Sequence, residues 1–194
     1  MMKRPDALRA IANLAPDEIV VATYSSAFDW MVIRPHPLNY VHVGAMGLAS
    51  SHGLGLALGR PDRKVIVLDG DGSLLMNLST LVTISNVAPE NLAYFVCENG
   101  TYEANGSHPI PGQGTTDFCT MARGAGWPVV AQYDELTGFT GALPSILATR
   151  GPVFTSIKVE PGATVGPANY EHIHGAAARA AFRECLTPNR RRAE

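Results

Sequence analysis

The sequence predicts an α/β fold, a single three-layer domain with a mostly parallel sheet and helices on both faces, and three observations carry that reading. Apolar runs of strand length alternate with helix-length stretches along the chain. The runs are apolar throughout instead of alternating, as strands buried on both faces are. With 194 residues, 46% of them apolar, the chain is long enough for one sizeable core.

The elements follow in order. Strands are expected at Glu18–Tyr24, Lys64–Asp69, Leu92–Glu98, Pro128–Tyr133 and Pro152–Glu160. Helices are expected at Met46–Leu58, Leu74–Val87, Asp117–Ala125 and Asp134–Thr149, with a further helix within "NYEHIHGAAARAAFRECL" near the C-terminus. Such βαβα alternation implies right-handed crossovers between parallel strands. Residues 1–194 read as one domain, with 1–15 as an N-terminal segment and 187–194, which hold Arg190, Arg191 and Arg192, as a flexible tail. The stretch "NGTYEANGSHPIPGQGTT", Asn99 to Thr116, is too long and too rich in Gly and Pro for a plain connection.

Composition narrows the partners. A formal net charge of −2 gives no basic surface for nucleic acid, so small molecules and proteins are the expected partners. Three cysteines, Cys97, Cys119 and Cys185, are too few and too irregular for a disulfide framework or a zinc site, and fit a reducing compartment. Cys97 lies in an apolar strand and reads as a small core residue. Neither a secretory signal nor a membrane-length apolar run is found, so a cytoplasmic protein is expected, with no membrane partner.

Ligands of open α/β sheets bind beyond the carboxyl ends of the strands. "GDGS" (Gly70 to Ser73) ends one strand and "ENGTY" (Glu98 to Tyr102) the next, so the two loops can face one pocket. Gly70 and Gly72 permit close backbone approach, and the amides of Gly72 and Ser73 are placed to meet an anion. An ionised Asp71 beside a phosphate would repel it unless a cation lay between them. A hard divalent ion such as Mg²⁺ resolves the conflict, with Asp71, the Asn99 amide oxygen and the Thr101 carbonyl as oxygen ligands. Either motif alone is an ordinary turn. The stretch is neither a GxGxxG fingerprint nor a Walker loop.

These residues resemble a family. "GDGS", with an asparagine 28 positions after its aspartate and "NGTY" around it, resembles the thiamine-diphosphate motif of the decarboxylase and acetolactate-synthase superfamily. The longer run "GAMGLASSHGLGLALGRPDRKVIVLDGDGSLLMNLSTLVTI" is similar to the diphosphate-binding (PP-type) half of sulfopyruvate and phosphonopyruvate decarboxylases, and the resemblance spans roughly Glu18 to Glu160. It implies thiamine diphosphate and Mg²⁺ as cofactors. Asp71, Asn99 and Thr101 match the metal ligands, while Gly70, Gly72, Ser73 and Tyr102 belong to the cofactor motif. In "VGAMG", Gly44 matches the carbonyl that accepts from the cofactor's exocyclic amine, Ala45 adjoins it, and Met46 matches the bulky wedge beneath the cofactor. Such a wedge bends the two rings together so that the amine reaches the thiazolium C2 proton. By residue type alone Met46 is a gap-filling core residue.

The reaction so implied is decarboxylation of an anionic 2-oxo acid, carbon dioxide leaving and protonation releasing an aldehyde. The resemblance also marks a missing part: members activate the aminopyrimidine with a glutamate on a second, PYR-type domain. No such domain is expected here, and Glu18, Glu98 and Glu103 are not placed by the resemblance to replace it. In the sulfopyruvate type the two domains are separate subunits, which implies the β subunit of a hetero-oligomer completed by a PYR-domain α subunit. Two other readings stay open: carboligation by an acetolactate-synthase-like subunit, and a non-catalytic thiamine-diphosphate-binding module. "EANGSHP" departs from the relatives' pattern and puts His108 on the expected substrate side, where it could bind an anion or move a proton. His36, His42 and His52 read as solvated or core residues, and His172 and His174 do not have HExxH spacing.

Overall fold

Strands form where the apolar runs lie, because each is covered on both faces. The computed structural model describes residues 1–41, 45–162, 165, 166, 170 and 175–187, and His42, Gly44, His172, His174 and the three tail arginines fall outside them. In chain order the elements are α1 (Arg4–Leu14), β1 (Ile19–Ala22), α2 (Tyr24–Ile33), β2 (Asn39–Tyr40), α3 (Ala49–Gly59), β3 (Val65–Gly70), α4 (Asp71–Leu75), α5 (Ser79–Val87), β4 (Leu92–Glu98), β5 (Thr101–Tyr102), β6 (His108–Pro109), α6 (Phe118–Gly124), β7 (Val129–Tyr133), α7 (Leu136–Ala148), β8 (Val153–Lys158) and α8 (Ala176–Leu186).

Six strands make one sheet in the order β2-β1-β3-β4-β8-β7. Its pairings are all parallel. Successive residues of β3 point to opposite layers. Ile66 and Leu68 pack with Leu8 and Ile11 of α1, Phe28 and Trp30 of α2, and Phe139 and Leu143 of α7. Val65 and Val67 pack with Ala57 of α3, Leu81 and Ile84 of α5, Phe118 of α6 and Phe182 of α8. That double cover is why the strands read as unbroken apolar runs.

Close approach of α3 to the sheet requires glycine at 53, where an added Cβ would lie 2.2 Å from Val67 Cγ2. A Gly53→Ala substitution therefore overpacks a β-branched neighbour that has nowhere to swing. It is expected to cost about 1–3 kcal/mol of stability, read as a lower midpoint in urea unfolding.

Several expectations need correction. Residues 4–14 are a helix with Ala7, Leu8 and Ile11 fully buried, not merely a leading segment. The expected strand to Tyr24 stops at Ala22, because Tyr24 turns the chain at φ +44° into α2. The helix expected over Leu74–Val87 is two pieces, starting earlier at Asp71 and broken at residues 76–78, where Met76 and Asn77 amides bond three residues back to Ser73 and Leu74. Likewise α3 starts at Ala49 and leaves Met46 in a turn. The segment from Asn99 is, as expected, no plain connection: within it β5 and β6 pair antiparallel, with Tyr102 opposite His108.

Chain order and spatial order diverge at β1, which has β2 on one side and β3 on the other. That reversal is a topological switch point, where open α/β sheets hold ligands at the strands' carboxyl ends.

Candidate cofactor site

β3 and β4 are in register, Asp69 beside Val96 and Gly70 beside Cys97, so the two motif loops leave the sheet side by side. They are also bonded to one another. Asp71 Oδ2 accepts from the Gly100 amide at 2.7 Å, and Oδ1 accepts from the Gly72 amide at 2.8 Å. Across the gap Asn99 Oδ1 accepts from the Thr101 amide at 2.8 Å, which sets the Asn99 side chain by its own turn.

One cleft at this edge is lined by Met46, Gly70, Asp71, Gly72, Ser73, Asn99, Thr101 and Tyr102. Eight of the expected positions thus meet in one place. Glycine is required at 72 because an added Cβ would sit 2.6 Å from the Tyr102 ring. Of the remainder, Gly44 lies outside the described residues, and Ala45 is exposed and outside the lining. His108 is exposed on β6, opposite Tyr102, and does not line the cleft. His52 lies on α3, its ring stacked 5.2 Å from that of Tyr40.

Sequence reading missed half of the wall. Thr23, Tyr24, Ser25 and Ser26, after β1, line the cleft, and the carboxyl-end rule that found "GDGS" could have found them. The Thr23 hydroxyl is buried with no hydrogen-bond partner. Arg4 also reaches the cleft, only 4% exposed, between Asp29, whose Oδ2 accepts from Arg4 Nε at 2.7 Å, and Glu103. The free oxygens of that pair hold the chain after β8: Asp29 accepts from the Val165 amide and Glu103 from the Gly162 amide. No local signal marks Arg4, whose partners lie 25 and 99 residues away.

Burial makes Asp71 an uncomfortable carboxylate. It is 2% exposed, and desolvation, opposed by the Gly100 and Gly72 amides, pushes its pKa up to about 6. Among the described residues no cluster of three or more His, Cys, Asp or Glu could hold a metal. The donor set here is instead one buried carboxylate with amide and carbonyl oxygens, which fits a hard divalent ion that keeps part of its shell for phosphate oxygens.

The sign of the pH effect follows. Because the folded pKa lies above the ordinary value of 3.8, the fold holds a proton that the unfolded chain loses. Without metal, stability falls as pH rises from about 4 through about 6, by about 3 kcal/mol for a shift of this size. A cation reverses this by pairing with the ionised form. Mg²⁺ with thiamine diphosphate should therefore raise the melting temperature strongly at pH 7.5 and little at pH 5. Equal shifts at both pH values in thermal unfolding would contradict the placement of the cation at Asp71.

Residues 21–157 match the profile of the thiamine pyrophosphate enzyme, C-terminal TPP binding domain. The chain belongs to that family. This TPP-binding domain is 37% identical to the sulfopyruvate decarboxylase subunit beta of Methanothermobacter thermautotrophicus, over 84% of each chain. To the sulfopyruvate decarboxylase of Methanosarcina acetivorans it is 36% identical, over 86% of this chain and 43% of that one. Phosphonopyruvate decarboxylase of Streptomyces viridochromogenes is 36% identical over 81% of this chain and 40% of its own. The TPP-binding domain thus spans most of the first relative and about two fifths of the other two. An X-ray structure from Mycobacterium smegmatis, described as a thiamin diphosphate-dependent enzyme, superposes with a TM-score of 0.68 at 21% identity, over 83% of this chain and 32% of that one. That likeness shows the fold.

Proposed function

We propose that the protein is the cofactor-binding subunit of a thiamine-diphosphate-dependent decarboxylase acting on a 2-oxo acid of the sulfopyruvate or phosphonopyruvate kind. One observation carries the reading: the two strand tips converge on a buried acid, Gly100 to Asp71 at 2.7 Å, in a chain that runs along most of a sulfopyruvate decarboxylase β subunit. Asp71, the Asn99 amide oxygen and the Thr101 carbonyl would hold Mg²⁺, and Gly72 and Ser73 would lie under the diphosphate. Thiamine diphosphate supplies the electron sink that lets the 2-oxo acid lose carbon dioxide.

The chain's own residues then position and shield. Met46, which stands in the cleft wall, would be the apolar support beneath the cofactor. Tyr102, packed on Gly72, covers one side of the loop that takes the diphosphate. Neither glutamate nearby is free to activate the aminopyrimidine. Glu98 is held by Ser156 and Lys158, and Glu103 by Arg4 and the Gly162 amide. The activating glutamate therefore comes from an α subunit with a PYR-type domain, in a hetero-oligomer.

The location we assign is cytoplasmic. Cys97, Cys119 and Cys185 are free thiols, and among the described residues no helix is long and apolar enough to cross a membrane. We read residues 1–194 as one domain, a reading supported by α1 and α8, which each join a core layer of the six-stranded sheet.

The test is co-expression with the cognate glutamate-bearing subunit, then carbon dioxide release from a panel of 2-oxo acids. The expected result is release from sulfonate- or phosphonate-bearing pyruvates by the pair and none by either chain alone. Cofactor binding without release from any member of the panel would favour the binding module, and a condensed acyloin product would favour carboligation.

A further inference from the structure

The turn that carries Met46 is gripped on both sides of a single residue, Gly47. Gly47 follows Met46 with φ +85°, and an added Cβ would lie 3.1 Å from Met76 Cβ, so the turn rests directly on the break between α4 and α5. On one side the Gly47 amide donates to Ser73 Oγ at 2.9 Å. On the other side the Gly47 carbonyl accepts from Asn77 Nδ2 at 2.9 Å. Asn77 is itself tied down, its backbone carbonyl accepting from Thr80 Oγ1 at 3.0 Å. Thr80 accepts in turn from Ser50 Oγ at 2.9 Å, and Ser50 lies on α3, the helix that the turn leads into. The break at residues 76–78 thus has a use: it turns the Asn77 side chain out of the helical course and onto the Gly47 carbonyl.

We infer that Asn77 is a positioning residue of the cofactor site. It fixes the peptide unit after Gly47 through its carbonyl, as Ser73 fixes the Met46–Gly47 unit through its amide, and so holds Met46 as a rigid support. The inference rests on the reading of Met46 given above as the apolar support beneath the cofactor. An amide side chain is needed at 77 because the group it meets is an acceptor. A carboxylate of the same shape has no donor there and repels the carbonyl.

Two variants test this, Asn77→Ala and Asn77→Asp, the second keeping the side-chain shape. In the full chain, ¹³C-methyl labelling of its six methionines gives a small set of signals, of which Met46 is assigned by loss in Met46→Leu. Both Asn77 variants should narrow and average the Met46 methyl signal and speed exchange of the Gly47 amide about tenfold or more. In the complex with the glutamate-bearing subunit, kcat should fall about 10- to 100-fold while the substrate KM and the cofactor Kd move less than about threefold. An unchanged Met46 signal and Gly47 exchange rate in both variants would overturn the inference. So would an Asn77→Asp variant that matches the wild type in every reading. A loosened Met46 with undiminished kcat would leave the anchoring role of Asn77 standing and instead remove Met46 from the cofactor's support.

Discussion

Replacing Asp71 with alanine is expected to abolish Mg²⁺-dependent binding of thiamine diphosphate, seen in calorimetry as an affinity at least about a hundredfold weaker, while the chain stays folded. The magnitude follows from comparison with weaker perturbations: loss of a group that merely orients a metal ligand already costs 10- to 100-fold, and loss of a charged ligand itself costs more. Stability responds differently. The substitution deprives the Gly72 and Gly100 amides of their acceptor, a destabilising change. It also removes a carboxylate that burial disfavours in its ionised form above pH 6, a stabilising one. No apolar contact is lost, so the two changes should leave the unfolding midpoint at neutral pH near the wild-type value. Undiminished cofactor binding in the folded variant would show that the cation does not sit at Asp71.

Replacing Arg4 with methionine should have the largest effect on stability, a loss of about 3–5 kcal/mol measured by urea unfolding at pH 7. The reason is what remains behind. Asp29 is fully buried and Glu103 partly so, and both lose the cation that they share. The same change frees the hairpin after β4, because Glu103 sits one residue beyond Tyr102 and ties that segment to α1 and to Gly162. Metal affinity should therefore fall along with stability in any fraction that remains folded. A loss below about 1 kcal/mol, the range of an exposed pair, would mean that water reaches this cluster in solution.

Legibility in the sequence tracked burial and locality. β3 and β4 were readable to within a residue because both their faces are covered, which leaves an apolar run with no alternation to misplace. The site was readable where its groups come from one short segment each, Gly70 to Ser73 and Asn99 to Tyr102, since the register of neighbouring strands does the rest. Long-range partners were not readable. The Arg4 pair with Glu103 spans 99 residues, and nothing in "RPDALRAIANL" says that its arginine turns into the sheet's edge while Leu8 and Ile11 face the core. The break at Asn77 was missed for a related reason: "LLMNLSTLVTI" satisfies a helical pattern throughout, and only the Gly47 carbonyl, 30 residues back, explains why the helix gives way. β2 has two residues, too few for any periodicity.

The claim on which the functional reading stands is that a divalent cation joins the Asp71 carboxylate to a diphosphate between the tips of β3 and β4. Anomalous diffraction from crystals of the complex grown with Mn²⁺ and thiamine diphosphate tests it directly. The expected map has one strong manganese peak within coordination distance of Asp71, Asn99 and the Thr101 carbonyl, with diphosphate oxygens completing the shell. Diphosphate density over Gly72 and Ser73 with no peak beside Asp71, or manganese bound elsewhere, would contradict it.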